Sequence, residues 1–144
     1  VKANIAVLFP SLLISSCVTS NVNTYAPIDK SAKSITVPAG SAGLKGELKK
    51  ILSANGWQMK VYGGPEVIQG TSGETTDLRR FDTFSTRYNL VMQSSQFDLC
   101  LNFEPMINYE VVVIDNQTGA EVITIDGTGC EGSVARKFAE ALTS

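Results

Sequence analysis

The chain has 144 residues, 43% of them hydrophobic and 18% charged, with 12 Lys and Arg against 14 Asp and Glu. That much apolar material fits one packed domain and is too much for a disordered chain. A formal charge of −2 offers no basic surface for a polyanion, so nucleic acid is excluded as a partner. There is no histidine, which removes the commonest metal ligand and the commonest general base near neutral pH.

Lys2 precedes an apolar run over residues 5–14, broken only by Pro10 and Ser11, and then come Ser15, Ser16 and Cys17. A charged start, a short apolar stretch and small residues at the cut make a secretory signal peptide. The run is about half the roughly 20 residues that span a bilayer as a helix. Taken alone, it also fits an ordinary cleaved signal or a buried strand. Ile14-Ser15-Ser16-Cys17 resembles the bacterial lipobox. That resemblance implies a diacylglycerol on the Cys17 thiol, cleavage just before it and acylation of the new amino terminus. Several acyl chains give stable anchoring where one is marginal. By the same resemblance Val18, not being Asp, implies sorting to the outer membrane of a Gram-negative cell, with the chain on the periplasmic face and the inner membrane or cell surface as alternatives. Residues 18–34 are rich in Ser, Thr, Asn and Ala and lack apolar periodicity, the composition of a flexible tether. The expected organisation is a signal peptide over 1–16, a lipidated tether over 17–34 and one folded domain over 35–144.

Residues 35–37 predict a short strand ended by Pro38. Ser41 can cap a following helix, in which Leu44, Leu48, Ile51 and Leu52 form one apolar stripe. Asn55-Gly56 stops it, with Gly56 suited to a left-handed C-terminal position. Trp57, Met59 and Val61 alternate with Gln58, Lys60 and Tyr62 as in a half-buried strand. Residues 63–76, with Gly63, Gly64, Gly70 and Gly73, predict a long loop. Residues 77–93 support both periods: Leu78, Phe81, Phe84, Tyr88 and Val91 make a helical stripe, while Tyr88, Leu90 and Met92 alternate. Aromatic and β-branched residues favour a strand over about 86–93. Phe97, Leu99, Leu101 and Phe103 alternate cleanly and predict the best strand in the chain. Residues 109–115 and 120–126 flank Asn116-Gln117-Thr118-Gly119, a hairpin signal. A closing helix follows over about 131–142, with Val134, Phe138 and Leu142 four apart. The sum is an α+β domain with a mainly antiparallel sheet of four to six strands and two helices.

Export places Cys100 and Cys130 in an oxidising compartment, where an even pair is expected to be joined. With no Cys-x-x-Cys spacing and no histidine, neither a redox motif nor a metal site is indicated. The four loop glycines lack the Gly-Lys-Ser/Thr ending of a phosphate cradle, so they read as a flexible loop and a possible partner-binding one. Asp77, Arg79, Arg80, Asp82 and Arg87 read as a solvated surface of mixed charge. Trp57 reads as core, although Trp57 and Tyr62 beside the loop could stack on a sugar or peptide. No Gly-x-Ser-x-Gly elbow or Ser-x-x-Lys motif is present, and no cofactor is expected.

The helix ending Ser53-Ala54-Asn55-Gly56-Trp57, the hairpin Val113-Ile114-Asp115-Asn116-Gln117-Thr118-Gly119-Ala120-Glu121-Val122 and the closing helix resemble the small periplasmic lipoprotein domains of penicillin-binding-protein activators and curli-secretion lipoproteins. The resemblance is one of fold and carries no functional residues. Two functional classes follow. One is a non-catalytic, membrane-anchored lipoprotein that binds an envelope protein or helps organise an envelope assembly. The other is a periplasmic enzyme or small-ligand binder, which the missing histidine and nucleophile motifs disfavour.

Overall fold

The structure, a computed structural model, describes residues 18–62, 65–72, 74–81 and 86–144. Its main sheet has six strands: β1 (Ser20–Thr24), β2 (Ser34–Val37), β3 (Gln58–Val61), β6 (Tyr88–Leu99), β7 (Pro105–Asp115) and β8 (Ala120–Cys130). A separate two-stranded sheet pairs β4 (Pro65–Ser72) with β5 (Glu74–Phe81), and the helices are α1 (Leu44–Ala54) and α2 (Glu131–Thr143). The strand order is β1-β8-β7-β6-β2-β3. Pairing is antiparallel from β1 through to β6, whereas β2 pairs parallel with both β6 and β3. The α+β expectation therefore holds. The parallel part follows from the β2–α1–β3 unit, since a helical crossover returns the chain in its starting direction.

One apolar cluster joins the helices to one face of the sheet. Leu44, Leu48 and Leu52 of α1 and Val134, Phe138 and Leu142 of α2 meet Ile35, Tyr88, Val111, Val113, Ile123 and Ile125. Along β7, Ile107, Tyr109, Val111 and Val113 are buried while Asn108 and Glu110 between them are exposed, the alternation of a sheet covered on one side. The uncovered face carries polar pairs, Asn21 donating to Asp126 at 3.0 Å and Thr128 to Asn108 at 3.0 Å across neighbouring strands, beside the apolar pair Val91–Val112.

Several boundaries differ from the sequence reading. The tether over 17–34 is corrected from residue 20 onward, because Ser20–Thr24 is an edge strand on β8 and Ile28 is in the core. A short edge strand with one solvated face needs no apolar period, so composition alone read it as a linker. Ser41 does not cap α1. Gly43 occupies that position without a side-chain cap, and the Glu131 carboxylate from the start of α2 lies beside it. The loop over 63–76 is corrected over 65–72 and 74–76, which belong to the β4–β5 hairpin. Its register sets Gly70 opposite Thr76 and Ser72 opposite Glu74. Gly63, Gly64 and Gly73 lie outside the described residues. The strand expected over 97–103 ends at Leu99, after a register shift between Gln96 and Asp98. Residues 100–103 form a turn, closed by Phe103 N–H donating to the Cys100 carbonyl at 2.9 Å. Of the two periods in 77–93, the strand won: β5 ends at Phe81 and β6 begins at Tyr88.

Candidate functional site

Arg87 is the one member of the mixed-charge run whose side chain is described, and it is not simply a solvated surface charge. Its Nε donates to Asp115 Oδ1 at 3.1 Å and its Nη2 to Asp115 Oδ2 at 2.8 Å, a two-pronged pair, while Asp29 lies at 3.8 Å. That pairing holds the Asp115 carboxyl below the ordinary aspartate range against the opposing effect of burial, and the Gln117 N–H assists. Asp29 is also held down, chiefly by the Ser31 hydroxyl at 2.6 Å and the Ser31 N–H at 2.9 Å. Beside this pair, Thr86 donates to the Tyr88 carbonyl and therefore accepts from Thr36 at 2.7 Å, while Asn116 donates to the Thr86 carbonyl at 2.9 Å. These contacts lock the start of β6 to β2 and to the β7–β8 turn. Their role is architectural.

Among the described residues, two recesses open to solvent. One, about 150 Å³, lies between Ile28, Lys30, Lys33, Asn55, Trp57, Leu142 and Thr143. Its lysines serve the helix ends: Lys33 donates to the Asn55 carbonyl at 3.1 Å and Lys30 to that of Thr143 at 3.3 Å, cations where the helix dipoles are negative. Trp57 is buried there, edge-on to Tyr88 with ring centroids 5.6 Å apart, so it is a core residue, while Tyr62 is exposed. The other recess, about 280 Å³, is bounded by Gln93, Ser94, Ser95, Asn108, Tyr109, Glu110 and Gly127. Both fall below the roughly 300–1,000 Å³ of small-molecule pockets. No group of three or more His, Cys, Asp or Glu among the described residues could hold a metal.

An exposed strand edge and a group of exposed apolar side chains lie on the β6–β7 hairpin. β2 pairs with β6 only at Tyr88 and Asn89. From residue 90 to Leu99 that edge of β6 has no strand neighbour among the described residues, and its side chains are mostly exposed. At the far end Phe97 is 53%, Leu99 54% and Phe103 84% exposed, and Leu101 is fully exposed. Cys100 and Cys130 are joined, with α-carbons 6.0 Å apart, within bonding reach. The bond ties this tip to the start of α2. Cys100 sits in the turn and not within a strand as the spacing predicted. Phe103 adopts φ 64°, a left-handed conformation that costs a bulky residue about 1–2 kcal/mol. Alternation at 97–103 read as a half-buried strand because pattern gives a period and not a partner. Asn102 followed by Glu104-Pro105 was the available turn signal. Glu131, beside this end, is pushed up by burial and by Glu47, with the Leu44 N–H opposing.

Cys17 lies outside the described residues, immediately before Val18. Gly63, Gly64 and Gly73 do too, and of the four loop glycines only Gly70 is described, within β4.

No family model and no curated protein matches the chain. Among solved structures it is similar to the PelC dodecamer from Paraburkholderia phytofirmans. The TM-score is 0.50 at 12% identity, over 87% of this chain and 94% of that one. A single-residue variant of that dodecamer in another crystal form gives the same TM-score and coverage at 14% identity. At such identity the likeness is one of fold: a mixed sheet carrying two helices.

Proposed function

We propose that this chain is an exported, lipid-anchored envelope protein that acts by binding, as a subunit of a larger assembly. The observation that carries the reading is the edge of β6 beyond Asn89, which has no strand partner among the described residues. A row of free backbone donors and acceptors is a template for another strand. The disulfide fits an oxidising compartment, in keeping with a periplasmic, membrane-anchored setting. The shared fold with a protein that forms dodecamers favours self-assembly over a lone monomer. Binding is preferred to catalysis because proton transfer near neutral pH, without histidine, needs a carboxylate or lysine shifted by burial in a cleft. Asp29 and Asp115 are shifted the other way, and Glu131 is engaged at the start of α1.

Light scattering on the detergent-solubilised, lipidated chain tests this. The expected mass is several protomers, or one protomer with an envelope partner. Gln93→Lys with Ser95→Lys, both on the exposed edge, should reduce it to the protomer without altering the melting temperature. A monomeric wild-type chain that retains no partner contradicts the proposal.

A further inference from the structure

We propose that the apolar tip at 97–103 enters the same membrane that holds the lipid on Cys17, as a second, protein-side contact with the bilayer; this rests on the lipoprotein reading above. The placement follows from register. Val18 Cγ1 sits 3.7 Å from where a side chain on Gly129 would begin, and the Thr128 N–H donates to the Thr19 carbonyl at 2.7 Å. Cys17, the proposed lipidation residue, immediately precedes Val18 in the sequence. Gly129 is opposite Ile107 on β7. Pro105, where the tip begins, is therefore about 7 Å further toward the same end, and about 10 Å to the side across two strand spacings. Acyl chains leaving Cys17 bring the bilayer surface against the end of the molecule from which the tip projects.

The tip's chemistry fits hydrocarbon and not charged headgroups. Phe97, Leu99, Leu101 and Phe103 are exposed, and no Lys or Arg occurs over 94–110, where Asp98, Glu104 and Glu110 are the charged residues. Binding by such a surface scales with apolar area. The tip cannot readily fold its apolar residues back, because the bond to Cys130 and the turn from Cys100 to Phe103 hold it outward. Both the exposure and the left-handed Phe103 are unfavourable for an isolated soluble domain. A lipid surface relieves the first.

The test uses the full lipidated chain carrying Leu101→Trp, reconstituted into phosphatidylethanolamine–phosphatidylglycerol vesicles with brominated acyl chains. The indole introduced at position 101 should be blue-shifted and quenched about twofold or more, as expected for a side chain below the headgroups. Buried Trp57 in the unsubstituted chain is the unquenched control. Phe103→Trp provides a second probe should the first variant misfold. Raising the phosphatidylglycerol fraction should leave the quenching unchanged, and quenching confined to anionic vesicles would contradict the apolar mode. Fatty-acid labelling separates the two premises. No label on the wild-type chain overturns the lipoprotein reading and the tip with it. Label on Cys17 with an unquenched, water-exposed indole overturns the tip alone, as does an indole shielded from both lipid bromine and aqueous iodide, which places a second copy on the tip.

Discussion

Asp115 shows how single side chains fix the strand ends. Its carboxylate takes both prongs of Arg87 and the Gln117 N–H, so it ties β6, β7 and the β7–β8 turn at one point. Its folded pKa lies below the ordinary 3.8. The stability it contributes is therefore complete above that value and is lost as pH falls through the folded pKa. Acid titration of the melting temperature should show this loss below about pH 4, and Asp115→Asn should lower the neutral-pH value and flatten the acid limb. An unchanged acid limb would mean that other carboxylates carry it. Phe138 is the apolar counterpart: it is fully buried between α2 and the sheet, and Phe138→Ala should cost about 3–5 kcal/mol in denaturant unfolding.

The elements were legible where periodicity reports burial. Leu44, Leu48 and Leu52 repeat at helical spacing and all face the core, and Gly56 and Gly119 take positive φ where the helix and hairpin end. Legibility failed where a strand is bordered by water. Ser20–Thr24 is an edge strand without apolar repeat, and Phe97 to Phe103 is an alternation that leaves the strand at Leu99 and whose apolar side chains are all exposed. The disulfide was readable from pairing and export, but its place in a turn was not. The open edge of β6 could not be read at all, because it depends on β2 stopping after two paired residues. Two predictions belong at this scale. Cys100→Ser with Cys130→Ser should lose about 3–4 kcal/mol, the chain-entropy value for a loop closed over 30 residues. Gly127, at φ 139°, leaves no room for a β-carbon, which would collide with the Thr19 carbonyl. Gly127→Ala should therefore release β1 from β8 while the rest of the sheet stays folded. Hydrogen exchange would show it as rapid labelling confined to residues 19–24; protection that survives there would contradict it.

At the scale of the whole molecule, two exposed stretches of strand differ in kind. β1, an edge strand, is short and set by its register on β8, whereas the side of β6 left without a strand neighbour among the described residues runs for ten residues from 90 to Leu99 on a long hairpin. An exposed strand edge of that length is a template for pairing with another chain. The PelC dodecamer shows that a related fold is found in a large assembly. The most direct test of binding through this edge is photo-crosslinking in living cells, with a photoreactive residue at Gln93 on the edge and, as control, at Glu140 on the outer side of α2, both exposed. The account predicts a discrete higher-mass adduct from position 93 and none from position 140. No adduct from position 93, or equal adducts from both, would contradict it.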